Sequence, residues 1–307
     1  MGGLQALLPE GMHVFERGWL SSNNVVLVGP EHVGMVDTGY ARHAEQTVAM
    51  VRRLLGDRQL DTVANTHLHS DHCGGNAALQ DAYPGVKVVV PPGLSEAVRR
   101  WDDVALTYEP TGQVCPRFRL DGLLIPGTPL RLGADDWEIH AAPGHDPHSV
   151  VLFEPTTRTL ISADALWENG FGVVFQELEG IRAFDEVADT LDLIESLGPS
   201  VVVPGHGSVF TDVEPALERA RSRLAAYRKD PVRHAGHAAK VLLKFKLLEQ
   251  QQLPVGVLQG WAEVTPYFGI VHQRWFPAEP FQAWISQLLG ELVRSGAAQL
   301  QDGVILN

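Results

Sequence analysis

The stretch Asn65–Gly75, NTHLHSDHCGG, places several metal-binding side chains close together, directly after a strand-like run. These side chains are His67, His69, Asp71 and His72. Alternate side chains of an extended segment share a face, so His67 and His69 should point the same way. The glycines that close the stretch let the backbone bend tightly at no steric cost. Imidazole nitrogens and a carboxylate that converge in this way suit a borderline divalent metal.

Three more segments repeat this design, in which a polar ligand follows a β-like run. They are APGHDPHS with His145, ISADAL with Asp164 and VPGHG with His206. A single His-x-His pair would be a weak signal in a chain with 13 histidines. The complete set is a stronger one, because loops at strand ends are where a sheet scaffold usually presents ligands. We therefore expect all of these side chains to meet at one site.

The first two-thirds of the chain alternates valine-rich runs with helical stretches. Val25–Val28 and Val86–Val90 have the composition of strands, and Pro91 follows the second of them. Residues 41–55 and 184–197 carry apolar side chains at helical spacing. This succession predicts sheets covered by helices.

The pattern changes near residue 212. Predicted in order are helices near 213–227 and 234–251, a short helix from Pro254, a helix near 279–295 and a hairpin turn at Asp302–Gly303. Three helices followed by a β-hairpin is the plan of a winged helix. We therefore predict two domains, residues 1–230 and residues 231–307.

Composition limits the class of protein. The 307 residues are 45% hydrophobic and 20% charged, as in an ordinary globular protein, and the net charge of −13 does not recruit polyanions. Having only two cysteines, Cys73 and Cys115, argues for a reducing compartment. We expect no signal peptide, because the N-terminus has no positive leader before an apolar core, and no membrane span, because no apolar run reaches ~18 residues. These features predict a cytoplasmic protein.

The ordered motif His67-x-His69-x-Asp71-His72, with the three later segments, resembles the five-motif signature of the metallo-β-lactamase superfamily. The resemblance covers about residues 12–210 and implies an α/β (α+β) fold, a four-layer αββα sandwich with metal ions at one edge of its sheets. It implies a first metal ion held by His67, His69 and His145. It implies a second held by Asp71, His72 and His206, with Asp164 bridging the two.

The chemistry expected of such a centre is hydrolysis. Two cations ~3.5–4 Å apart can share a water and lower its pKa towards ~7, which supplies a bridging hydroxide at neutral pH. Asp71 would hydrogen-bond that hydroxide and aim it, which makes Asp71 the expected catalytic residue. Two divalent ions are expected, most simply Zn²⁺ because histidine dominates the ligands, with Mn²⁺ and iron left open.

Weaker signals surround the ligand set. Asp37, in MVDTG, matches an early motif of the superfamily and would orient a ligand histidine. His148 would touch substrate or form only a local hydrogen bond. Trp167, with Phe171 and Phe175, would form an apolar wall beside the metals or belong to the core. Cys73 is expected to be a packed side chain, and histidines without a matching context, such as His237, are taken as surface or structural.

The C-terminal domain resembles, less specifically, that of the beta-lactamase-like protein 2 subgroup, which includes single-strand endoribonucleases. We leave three roles open for it: packing, contact within a homodimer, or closure of the substrate pocket. The first function expected is a dinuclear hydrolase of a small thioester, ester or lactone. One alternative is a metal-dependent single-strand endoribonuclease that binds nucleic acid through residues 214–250, a segment that contains nine Lys/Arg and four Asp/Glu. The other is a non-catalytic binding or regulatory module.

Overall fold

The valine-rich runs form two β-sheets in a computed structural model that describes residues 7–307. The first sheet contains β1 Met12–Phe15, β2 Asn24–Val28, β3 Val33–Val36, β4 Thr62–Ala64, β5 Lys87–Val90 and β6 Gly122–Leu123. Its strands lie in chain order, with β1, β2 and β3 antiparallel and β3 to β6 parallel. The parallel strands carry their carboxyl ends to one edge.

The second sheet is antiparallel except for one pair of strands. It contains β7 Pro129–Leu132, β8 Asp135–Ala141, β9 Val150–Glu154, β10 Thr159–Ala163 and β11 Val201–Pro204. The order is β11-β10-β9-β8-β7, and the parallel pair is β10 and β11. Strands β8, β10 and β11 therefore run in the same direction and end at the same edge of the sheet.

Helices cover the outer faces of both sheets. They are α1 Ala44–Leu55, α2 Ser70–Cys73, α3 Asn76–Ala82, α4 Ser95–Arg100, α5 Tyr108–Thr111, α6 Phe175–Glu179, α7 Phe184–Leu197 and α8 Val213–Lys229, with short 3₁₀ turns at Ala41–His43 and Pro92–Leu94. On the first sheet, Val51 and Leu55 of α1 pack into one buried cluster with Val63 and Val88. On the second sheet, the apolar faces of α7 and α8 form a separate cluster with strand residues.

A third buried cluster fills the space between the sheets. It contains Leu27, Val36, Trp137, Leu152 and Val203, so side chains from both sheets contribute to it. Trp137 is fully buried there. Helices, sheet, sheet and helices form four layers, which confirms the αββα sandwich expected from the sequence.

Residues 231–307, called here the C-terminal unit, contribute most of a further buried cluster, which also includes Val173 and Leu178. Its elements are α9 Pro231–Gln250, β12 Gln252–Pro254, α10 Val255–Val264, α11 Pro266–Trp275, α12 Phe281–Arg294, β13 Gln299–Gln301 and β14 Val304–Leu306. The expected hairpin is present, because β13 pairs with β14, and β12 adds a third strand. The sequence analysis did not predict helix α11. Pro266 occupies its first turn, and Tyr267, Phe268 and Val271 are buried. The winged-helix assignment and the boundary near residue 230 stay predictions.

The C-terminal unit is joined to the sandwich by a buried polar contact. The hydroxyl of Tyr40 donates to Oε1 of Glu249 at 2.8 Å, and Lys246 forms an ion pair with the same carboxylate. The Tyr40 ring also lies edge-on to Phe245, with centroids 5.1 Å apart. Helix α9 is thereby held beside the edge where the ligand segments lie. Within residues 7–307, every helix is too short or too polar to span a membrane.

Candidate metal centre

The side chains expected as metal ligands lie together where strands of both sheets end. Their ligand atoms form three overlapping groups, and within each group the atoms lie within 4.8 Å of one another. The groups are His67 with His69 and His145, His67 with His72 and Asp164, and Asp71 with His72 and His206. All seven residues are thus brought to one place, from positions as distant as 67 and 206 in the chain.

In the first group, three imidazole nitrogens face one another. Nδ1 of His69 lies 3.1 Å from Nε2 of His67 and 2.8 Å from Nε2 of His145. The Nδ1–H of His145 donates to the carbonyl oxygen of Val173 at 2.6 Å, so its Nε2 presents a lone pair to the group. Burial, with repulsion from His69, lowers the pKa of His145 to about 4, which keeps this imidazole neutral at pH 7. Converging lone pairs of this kind need a cation among them.

A buried carboxylate orients two of the histidines. The Nδ1–H of His72 donates to Oδ2 of Asp37 at 2.8 Å. The hydroxyl of Thr66 donates to the same oxygen at 2.8 Å and lies 3.1 Å from Nδ1 of His67. Since the hydroxyl proton points at Asp37, the Thr66 oxygen accepts from His67. The Nε2 atoms of both histidines therefore present lone pairs towards the centre, and among the described residues Nε2 of His72 has no hydrogen-bond partner.

Asp164 lies between the two halves of the cluster. Its Oδ2 is 3.4 Å from Nε2 of His145, and its Oδ1 is 3.5 Å from Nε2 of His72. A Cβ at Gly205 would lie 2.2 Å from Oδ1 of Asp164, so only glycine leaves room for this carboxylate. Ala163, directly before it, has a φ of 47°, a left-handed conformation that alanine rarely adopts. Backbone strain of this kind often occurs at functional sites.

The charges of the cluster also favour a bound cation. Although burial opposes ionisation, attraction by His72 and His206 holds the pKa of the Asp164 carboxyl well below its usual range. Burial likewise opposes protonation of His72, yet Asp164, Asp37 and Asp71 raise its pKa well above the ordinary value. Buried carboxylates that draw a proton so strongly would equally draw a metal cation. Nitrogen and carboxylate donors, free lone pairs and excess negative charge together fit a divalent metal centre.

The cluster opens into a cavity of about 430 Å³. Asp71, whose Oδ2 lies 3.1 Å from Nε2 of His206, faces this cavity. Eight of the other lining side chains are apolar. They are Trp19, Trp167, Phe171, Val173, Phe175, Val241, Leu242 and Phe245. The last three belong to α9, so the C-terminal unit supplies one wall of the cavity.

The weaker sequence signals have different outcomes. Trp167 lines the cavity, and its Nε1–H donates to Oδ1 of Asp164 at 3.2 Å. Phe175 also lines the cavity, with its ring centroid 5.2 Å from that of His69. Cys73 is buried, with Sγ 3.2 Å from the hydroxyl of Tyr108, and belongs to none of the ligand groups. His148 is exposed, lies over Gly93 and is not among the cavity-lining residues, so its position does not support substrate contact.

Several cavity residues escaped the sequence analysis. Trp19 is 57% exposed, and its ring stacks on His206 with centroids 5.3 Å apart and planes 10° apart. Arg223 of α8 and His237 of α9 also line the cavity. The sequence had predicted only a surface or structural position for His237. A single tryptophan in a loop carries no sequence signal of this role. The two helical residues are likewise placed only by tertiary packing.

Comparisons with known proteins agree with this geometry. The family model described as Metallo-beta-lactamase superfamily matches residues 17–206. A hydroxyacylglutathione hydrolase of Rhodobacter capsulatus is 30% identical over 185 residues, covering 57% of this chain and 62% of that protein. A beta-lactamase-like protein 2 homolog of Drosophila melanogaster is 28% identical over 184 residues, covering 58% of this chain and 56% of that protein. The match thus spans less than two thirds of the length of either relative.

Solved structures show the same fold. A metallo-β-lactamase family protein from Thermus thermophilus superimposes with a TM-score of 0.58 at 20% sequence identity, over 98% of this chain and 99% of that one. This likeness extends to the C-terminal unit as well as the sandwich.

Proposed function

The chain belongs to the metallo-β-lactamase superfamily, and we propose that it is a dinuclear metal-dependent hydrolase of a small thioester, ester or lactone. One observation carries the proposal. The two oxygens of Asp164 face different sets of ligand atoms, one towards His145 and the other towards His72. A carboxylate placed in this way suits a pair of ions better than a single one.

The ligand roles follow from the contacts. His67, His69 and His145 would hold one ion, and Asp71, His72 and His206 the other, with Asp164 shared. Zn²⁺ is the metal that this donor set favours. When bound, the ions would act as Lewis acids that polarise the scissile carbonyl and make hydroxide available at neutral pH.

The protein's own groups prepare the site for that chemistry. Asp37 accepts the Nδ1 proton of His72 and the Thr66 hydroxyl accepts that of His67, so both rings keep the tautomer that a metal ligand needs. Asp71 faces the cavity and is 15% exposed at its side chain, which lets it accept a hydrogen bond from a water there. We assign Asp71 the role of orienting the attacking water. Trp19 and Trp167 exclude bulk solvent on the side of His206.

The cavity favours a small substrate with an apolar part. A volume of about 430 Å³ lies within the range of small-molecule pockets, and its walls are largely aromatic and aliphatic. The hydroxyacylglutathione hydrolases among the relatives support the thioester class.

The endoribonuclease alternative has less support from the described residues. Among the described residues, four of the nine Lys/Arg side chains of the basic segment 214–250 form ion pairs. Its ion pairs are Arg221 with Asp192 and Glu195, Arg228 with Asp185, Lys240 with Glu291, and Lys246 with Glu249. Side chains already paired have less to offer a phosphate backbone.

The test combines metal analysis with a substrate panel. Purified protein is assayed for bound metal, then for turnover of thioesters, esters, lactones and single-stranded RNA, with and without a chelator. We expect about two ions per chain and chelator-sensitive turnover of an acyl substrate. His69→Ala should lose more than about a hundredfold in kcat/KM, exceeding the loss usual for residues that only support a ligand.

The matched control is His140→Ala, which removes a half-buried histidine that pairs with Glu138 and is not among the cavity-lining residues. It should retain activity. Failure of metal-loaded protein to cleave any thioester, ester or lactone would refute the proposal. Salt-sensitive cleavage of RNA in its place would favour the alternative.

A further inference from the structure

Arg223 lines the cavity and has no hydrogen-bond acceptor and no ion-pair partner among residues 7–307. It is half-buried on α8. Three other arginines of that helix are bonded: Arg219 to the backbone oxygen of Glu168, Arg221 to Asp192 and Glu195, and Arg228 to Asp185. Arg223 therefore differs from its neighbours by facing the cavity with its donors free.

A glycine makes room for this guanidinium. A Cβ at Gly170 would lie 2.5 Å from Nη1 and 2.6 Å from Cζ of Arg223, so the guanidinium lies directly over the Gly170 backbone. Gly170 has a φ of 118°, which a side chain would strain, and its carbonyl accepts from the Trp167 amide at 2.7 Å. The loop that carries Trp167 beside the metal ligands thus also seats Arg223.

Among residues 7–307, no acidic side chain forms an ion pair with this arginine. Glu168 lines the cavity and is exposed, but it forms no ion pair with Arg223 in the described part of the chain. Asp71 and Asp164 also line the cavity, and they face histidines of the ligand cluster. The neighbouring His237 is neutral at pH 7, because burial, with the positive charge of Arg223, lowers its pKa to about 4. A ligand is therefore the remaining source of a counter-charge.

We propose that Arg223 binds a carboxylate that the substrate carries beyond an apolar segment, at the end away from the scissile bond. The apolar segment would lie against Phe175, Leu242 and Phe245, which line the same cavity as the ligand cluster and Arg223. The parallel N–H groups of a guanidinium match the two oxygens of a carboxylate. The inference rests on the proposed function and narrows it to acyl substrates that end in an anion.

The first experiment compares two thioesters of one aliphatic dicarboxylic acid. In one the second carboxyl group is free, and in the other it is a carboxamide of nearly the same size. We expect the kcat/KM of the wild-type protein to be about tenfold to a hundredfold higher for the free acid, mainly because its KM is lower. Arg223→Met should abolish the preference, and Arg223→Lys should retain part of it.

The matched control is Arg221→Met, which changes an arginine on the same helix that points to Asp192 and Glu195. It should keep the full preference. Thermal unfolding of each variant distinguishes loss of carboxylate binding by Arg223 from loss of the folded structure. Equal kcat/KM for the two thioesters, or the same preference in Arg223→Met, would overturn the inference while leaving the proposed hydrolase intact.

A binding measurement is independent of turnover. Thioether analogues of the two compounds, which cannot be hydrolysed, are titrated into the metal-loaded protein while tryptophan fluorescence is followed, since Trp19 and Trp167 line the cavity. We expect tighter binding of the carboxylate form that Arg223→Met weakens by about tenfold or more. Such binding without any turnover of the thioesters would support Arg223 and contradict the hydrolase. If the two thioethers bind equally, or neither binds, the inference is overturned.

Discussion

Oδ2 of Asp37 lies 2.8 Å from Nδ1 of His72, with both residues almost fully buried. Asp37 has a φ of 55°, in the left-handed region that few residues other than glycine adopt. Hydrogen bonds from the amide and hydroxyl of Thr66 hold it in place. The strained backbone at Asp37 places its carboxylate beside Nδ1 of His72 and beside the Thr66 hydroxyl, which in turn contacts Nδ1 of His67.

Asp37→Asn should therefore weaken metal binding without removing a ligand. The amide oxygen can still accept one hydrogen bond, but it lacks the charge of the carboxylate that holds His72 directly and His67 through Thr66. We expect about a 10–100-fold loss of metal affinity, measured by competition with a chromogenic chelator. Asp136→Asn, at an exposed position paired with Arg131, serves as the control and should bind metal normally. Unchanged affinity in Asp37→Asn would contradict this role.

Gly205→Ala should disturb the centre by steric contact alone. Its Cβ would fall 2.2 Å from Oδ1 of Asp164 and 3.0 Å from Cε1 of His72. We expect a purified variant that folds but carries less metal, as shown by elemental analysis together with circular dichroism. Gly269→Ala in α11, where a Cβ meets nothing within 4 Å, should retain full metal content. Normal metal content in both variants would show that Asp164 can move aside.

His234 should make stability depend on pH. Burial, with the neighbouring His237, lowers its pKa from the ordinary 6.5 to about 3, and its Nε2 accepts from the amide of Val174. Below pH 6.5 the unfolded chain therefore binds a proton that the folded chain does not. The free energy of unfolding is therefore highest above pH 6.5 and falls as the pH is lowered towards 3. At pH 5 the loss due to His234 is about 2 kcal/mol.

The measurement is urea unfolding of wild type and His234→Gln at a series of pH values. The difference in free energy of unfolding between the two should shrink by that amount from pH 8 to pH 5. A difference that stays constant across this range would mean that His234 titrates alike in both states.

Tyr40→Phe should loosen the attachment of α9. The change removes the hydroxyl that donates to Glu249 and accepts from the amide of Val114 at 3.2 Å. Losing these buried bonds should lower the free energy of unfolding by about 1–3 kcal/mol. Tyr83→Phe is the matched control, because the Tyr83 hydroxyl is buried without a hydrogen-bond partner among the described residues. Equal stabilities for the two variants, in chemical denaturation, would argue against the contact.

The ligand set could be predicted from sequence because its information is local and chemical. Each ligand follows a strand within a few residues, and strand direction alone brings those ends to one edge. Valine runs and helical periodicity, which are local patterns, predicted only sheets covered by helices; the αββα arrangement was implied by the resemblance to the superfamily. That the set ligates metal, and how many ions it holds, stay predictions until metal is measured.

The cavity could not be predicted in the same way. Trp19, Arg223 and Phe245 reach it from a loop and two helices that are distant from the ligands in sequence, and their positions follow from packing. His148 shows the converse. It lies three residues from His145, but the turn places it at the surface over Gly93. Proximity in sequence to a ligand therefore did not by itself place a side chain at the centre.

Helix α9 supplies Val241, Leu242 and Phe245 to the cavity, whereas the ligand atoms all come from residues before 207. The candidate ligand atoms thus come from one part of the polypeptide, and a part of the cavity wall comes from another. Exchanging those three side chains would reshape the cavity and leave the candidate ligand atoms unchanged. One helix can therefore alter the shape of the cavity while the composition of the candidate metal centre stays the same.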